Sequence, residues 1–183
     1  LGVTLAEKNP LYLILPLLLA AVGIFASLIG MLFVPLGVRG GNPGAALNRG
    51  TYATTIVFAV LAFLIFYYLG LEMGVFYATL AGLIAGIIIG MTSDFFTSID
   101  RAPVMKTAES SKTGAAITIL TGFSYGIMSI IPPIIGISGA TIAAWYLAGV
   151  HGTQFAVYGV AVSAVGMLSI VGMIISADAY GPI

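Results

Sequence analysis

The chain has no cysteine, a single histidine (His151) and only six basic and six acidic residues among 183. Without cysteine there is no disulfide framework and no thiolate metal site. Net charge is zero, and no basic patch points to nucleic acid as a partner. Charged residues make up 7 % of the chain, against about 25 % in soluble domains. What fills the space is apolar: 60 % of residues are hydrophobic and the mean hydropathy is +1.16. A soluble domain of this size could not hide so much apolar surface. The expected fold class is therefore all-α, a polytopic membrane helix bundle with about five transmembrane helices. The 24 glycines suit close helix packing in lipid. A first residue that is Leu1 rather than Met, and a stop directly after Gly-Pro-Ile, read as the ends of an internal fragment of a larger bundle.

Hydropathy places the spans at about 11–36, 52–69, 74–96, 114–149 and 154–177, in one transmembrane region covering 1–183. Span one carries Pro16 in its first turns, where a missing N–H matters least. The connection GVRGGNPGAALNRG, from Gly37 to Gly50, reads as a flexible loop, because a phosphate-binding P-loop needs a GxxxxGK[ST] run after a strand. Span three carries Gly82, Gly86 and Gly90, a double GxxxG register that lets two helix backbones approach closely. The polar stretch SIDRAPVMKTAESSKT that follows reads as a solvated loop. From Thr113 to Val150 no charge interrupts the sequence, so span four is either one long helix kinked at Pro132-Pro133 or two segments. Gly159, Ser163 and Gly166 begin a small-residue stripe on span five, a face suited to other helices. His151 sits in a short turn and receives no role.

Two acids stand out by position. Asp94 and Asp178 both fall at the C-terminal ends of apolar spans, where the helix dipole disfavours an anion and a charge near the bilayer is costly. Position alone leaves two readings open for Asp178: neutralisation by a metal ion or basic side chain, or solvation by water among the headgroups. If span four is a single helix, Arg39, Arg49, Arg101, Lys106 and Lys112 sort to one side and Lys8 to the other. The positive-inside rule then makes the first side cytoplasmic, with the Asp94 and Asp178 ends on it. Two crossings within span four would put Asp178 on the outside instead.

Three segments carry a resemblance. YGVAVSAVGMLS (Tyr158 to Ser169) followed by DAYGPI (Asp178 to Ile183) resembles the membrane-integral, ion-pumping pyrophosphatases, in which DAYGPI runs on into DNAGG. IGMTSDFFTS (Ile89 to Ser98) is similar to the family's IGxxTEYYTS, with Asp94 in place of its Glu and Phe95 and Phe96 in place of its tyrosines. APVMKTAESSKTGAA (Ala102 to Ala116) is similar to the segment that follows. The resemblance is good from about Gly74 to the end; the first two spans match only in hydropathy and position.

The resemblance implies a homodimeric pump, embedded in membrane lipid, that hydrolyses magnesium pyrophosphate at the cytoplasmic face and moves H⁺ or Na⁺. It implies that Asp178 belongs to an acidic cluster holding Mg²⁺ and pyrophosphate, with Asp94 and Tyr180 as possible supporting residues. A hard Mg²⁺ ion takes carboxylate oxygens and bridges to phosphates. The family's catalytic lysines, other acidic motifs and ion-gate residues find no match in these 183 positions. The fragment alone is thus expected to be inactive, with the pumped ion and K⁺ dependence unreadable. Two other readings compete. One is a secondary ion or solute transporter with no hydrolase activity, which a broken helix would suit. The other is a structural membrane subunit in which both acids are solvated end residues.

Overall fold

The computed structural model describes Leu5, residues 9–38, 43–172 and Ile174. Among them lie six α-helices: α1 (Leu11–Val38), α2 (Pro43–Tyr68), α3 (Met73–Thr97), α4 (Ala102–Ser110), α5 (Ala115–Gly149) and α6 (Thr153–Leu168), with a 3₁₀ turn at Ser111–Thr113 between α4 and α5. The described residues contain no strand. Four stretches are long and apolar enough to cross a membrane: Leu11–Phe33, Asn48–Tyr68, one beginning at Met73, and Ala115–Gly149. The protein is an integral, multi-pass membrane protein. In lipid no water satisfies a bare peptide group, so the backbone closes its bonds within helices. Threonine hydroxyls follow the same rule: Thr54 and Thr79 donate to the carbonyls four residues earlier, both at 2.9 Å. No buried side-chain oxygen or nitrogen among the described residues lacks a partner.

The helices pack as two linked groups. α1 pairs with α2, while α3 packs against both α5 and α6. The main core cluster runs through Leu15, Leu19, Phe58, Phe66, Val75 and Tyr158. α5 is one continuous helix through Pro132 and Pro133, so of the two forms open for span four the single one is present. Almost none of its length is buried.

Four expectations need correction. The stretch from Gly37 to Gly50 is not all loop, because α2 already begins at Pro43. Proline is preorganised for the first turn of a helix, and Ala45, Ala46 and Leu47 are good helix formers. The polar stretch after α3 likewise holds α4, with Pro103 in its first turn. Among the described residues the glycine register of α3 does not act as one stripe, since a Cβ on Gly90 would meet none of them within 4 Å. Finally, span five is not a single helix: α6 ends at Leu168, a turn covers Ser169 and Ile170, and helical backbone resumes at Val171.

One proline shows how α1 and α6 depend on each other. Pro16 has no N–H, so the carbonyl four residues earlier, on Tyr12, loses its usual helical donor. The buried hydroxyl of Tyr158 donates to that carbonyl at 2.6 Å. Tyr158→Phe keeps the ring and removes this donor. Leaving a buried acceptor without a partner costs about 1–3 kcal/mol. The expected result is a lower thermal midpoint for the whole protein, read by unfolding in detergent. An unchanged midpoint would mean that water or another group replaces the hydroxyl.

Candidate functional site

The placing of the acids begins with the crossing of α3 and α6. A Cβ on Gly82 would collide with the Ser163 carbonyl, and one on Gly166 with the Thr79 carbonyl. Gly86 sits 2.9 Å, by the same measure, from the Met167 carbonyl. Gly159 faces Ala148, Ala144 and Ala78, where α3, α5 and α6 meet. The order of these contacts makes α3 and α6 parallel, so both helices advance towards the same end of the bundle. Backbone lies on backbone here, a geometry that only small residues allow.

Asp94 lies roughly three turns beyond Gly82, in the last turn of α3. Its carbonyl accepts the Ser98 N–H at 2.9 Å, closing the helix end. The carboxylate is half-buried and makes no ion pair among the described residues. Beside it, Arg101 sits 6.0 Å from the centroid of the Phe95 ring, a cation–π distance. An apolar groove of about 520 Å³ runs between the end of α3, α4 and α5, past Phe96, Thr107 and Tyr125.

Asp178 and Tyr180 lie outside the described residues. Among the described residues no three His, Asp or Glu side chains gather in one place. The described residues therefore supply no cluster of that kind around Asp94.

The opposite end of the bundle carries a polar network that the sequence reading left without a role. Gly70, at φ 62°, and Gly152, at φ 121°, take backbone conformations that side chains with a Cβ rarely adopt. They shape the α2–α3 and α5–α6 turns. Across these turns His151 Nε2 and a Glu72 carboxylate oxygen approach to 3.2 Å, both residues partly exposed. The Glu72 N–H donates to the Tyr12 hydroxyl at 3.1 Å, and the Tyr12 ring stands edge-on to Phe155 and Tyr158. An exposed contact of this kind contributes at most about 0.2–1 kcal/mol, so its use is to join two turns. The available signal was charge economy: Glu72 and His151 occupy the two short turns on the side that lacks the arginines.

Comparison with known proteins gives one consistent result. The family model described as inorganic H⁺ pyrophosphatase matches residues 2–183. A putative K⁺-stimulated pyrophosphate-energized sodium pump of Clostridium tetani is 36 % identical over 181 residues, covering 98 % of this chain and 27 % of its own. A K⁺-insensitive pyrophosphate-energized proton pump of Methanosarcina mazei is 36 % identical over 173 residues, covering 92 % and 25 %. A K⁺-stimulated pyrophosphate-energized sodium pump of Thermotoga maritima is 33 % identical over 181 residues, covering 92 % and 24 %. The chain spans about a quarter of the length of these curated relatives.

Proposed function

The chain belongs to the inorganic H⁺ pyrophosphatase family, and from that premise we propose that it is a segment of a pyrophosphate-energised cation pump. The whole protein would be an ion-translocating inorganic diphosphatase, coupling hydrolysis at the cytoplasmic face to transport of H⁺ or Na⁺. The observation that carries this reading is a family match across nearly the whole chain, joined to helices built to cross a membrane. The relatives divide between sodium and proton pumps and between K⁺-stimulated and K⁺-insensitive ones, so the family leaves both properties of this protein to experiment.

Orientation and cofactor are part of the same proposal. Arg49 lies in the second turn of α2, and Arg101, Lys106 and Lys112 lie between α3 and α5; alternate crossing brings the start of α2 and the α3–α5 connection to one end. That supports a cytoplasmic assignment for the ends carrying Asp94 and Asp178. Mg²⁺ would be held by Asp178 together with the family's other acidic motifs, which find no match in these 183 residues. A homodimer follows from the resemblance alone.

The test is transport by the full-length protein in sealed vesicles energised with pyrophosphate. H⁺ and Na⁺ uptake are followed separately, with and without K⁺. Accumulation of one ion that stops when pyrophosphate is exhausted is the expected result. One observation favours the alternative of a secondary transporter: the turn inside the fifth span at Ser169 and Ile170, since interrupted helices line substrate sites in that class. Ion or solute exchange with no pyrophosphate hydrolysis would establish it instead.

A further inference from the structure

The break in the fifth span is held from one side by α1. Ser169 closes α6 on itself: its N–H and its hydroxyl both donate to the Gly166 carbonyl, at 3.2 and 2.6 Å. A serine that bonds back to the chain competes with helix continuation. The Ser169 carbonyl is taken by α1, where the buried Ser27 hydroxyl donates to it at 3.4 Å. The two backbones are nearly in contact around this bond. A Cβ on Gly23 would lie 3.1 Å from the Ser169 Cα, and a Cβ on Gly172, past the break, 2.8 Å from both Cβ and Oγ of Ser27. The chain then resumes helical bonding, with Ile174 N–H donating to the Ile170 carbonyl at 3.2 Å. An open groove of about 590 Å³ beside Ser27 and Ser169 leaves space for this segment to shift if the lock fails.

We propose that Ser27 is a positioning residue for pyrophosphate hydrolysis, locking the break at Ser169 against α1 and so fixing the course of the backbone that leads to Asp178. The proposal rests on the reading of Asp178 given above. Ser27 touches no substrate in this scheme; it acts through the Ser169 carbonyl and through its fit against Gly172. The glycines at 23 and 172 are the spaces that let the lock close. Sequence reading gave Ser27 no role, because its partnership with Gly172 joins the first span to the fifth.

Two variants separate hydrogen bonding from fit. Ser27→Ala removes the donor and keeps the Cβ. Gly172→Ala pushes a methyl group into Ser27, and adding Ser27→Gly removes the atoms it strikes. In the full-length pump, Gly172→Ala is expected to lower kcat/KM for magnesium pyrophosphate about tenfold, because a displacement of ~1 Å can cost up to a hundredfold. Most of that loss should fall on KM. Ser27→Ala should act in the same direction with a smaller factor, and the Ser27→Gly/Gly172→Ala double variant should recover much of the loss. A second readout is independent of activity: spin labels at Leu17→Cys and Ile174→Cys report the distance between α1 and the segment past the break. That distance should shift in Gly172→Ala and return in the double variant.

A distance and a KM that ignore both substitutions overturn the proposal. So does a loss of activity that merely tracks a lower thermal midpoint and is not rescued. A protein whose label distance responds as expected, but whose unmutated form hydrolyses no pyrophosphate, overturns the functional reading and the positioning role with it. The mechanical lock then stands on its own.

Discussion

Gly82→Val is expected to abolish most of the folded yield of the whole protein. The side chain would enter the space of the Ser163 carbonyl, and the Ser163 Cα lies only 2.9 Å from the first added carbon. Overpacking a core costs about 1–3 kcal/mol when neighbouring side chains can turn aside. Here the obstacle is main chain inside a helix, which cannot turn aside without separating α3 from α6. The cost should therefore reach or pass the upper figure, more than a hundredfold in the folding equilibrium. Gly90→Ala is the matched comparison. It lies in the same helix and the same four-residue spacing, yet meets nothing within 4 Å among the described residues. Alanine also favours helix over glycine by ~0.8–1 kcal/mol. Gly90→Ala should fold at least as well as the unmutated chain. Yield and thermal midpoint in detergent measure both, and equal damage from the two would mean that the α3–α6 crossing is not where the stability lies.

Asp178→Asn in the full-length protein is expected to reduce magnesium-dependent pyrophosphate hydrolysis about a hundredfold or more, matching the several kcal/mol that metal ions supply to charge stabilisation. The amide has nearly the shape of the carboxylate but not its charge, so expression and thermal midpoint should change little. Asp94→Asn should be much milder, because among the described residues Asp94 makes no ion pair and belongs to no cluster of three or more His, Asp or Glu side chains. Near-normal hydrolysis in Asp178→Asn would remove that residue from the substrate site. A large loss in Asp94→Asn would show that the end of α3 reaches the reaction after all.

These two experiments also mark what could be read directly from the residues. Long uncharged runs announce membrane helices because lipid leaves few alternatives, and α1, α3 and α5 fall where the runs do. α4 escaped because its nine residues mix polar with apolar side chains, and a helix of about two and a half turns repeats its apolar face too few times to stand out. Gly82 and Gly90 are indistinguishable by spacing, and only the partner helix separates them. The turn at Ser169 carries no proline and sits between ordinary apolar residues, so it is a product of tertiary contact. Glu72 and His151 are 79 positions apart in sequence, and nothing local says that their turns adjoin. Asp178 was found through the motif around it, not through any geometry.

The bond from Tyr158 to the Tyr12 carbonyl spans 146 residues, and this bears on biogenesis. A chain emerging from the ribosome at ~5–20 residues per second exposes Tyr12 roughly 7 to 30 s before Tyr158 is made. Throughout that interval the first helix has a proline-orphaned carbonyl that its own segment does not satisfy by the usual bond. It must wait near the translocon or headgroup water, or borrow a donor from the insertion machinery. Synthesis of α6 then supplies the donor, so maturation of α1 is timed by synthesis of α6.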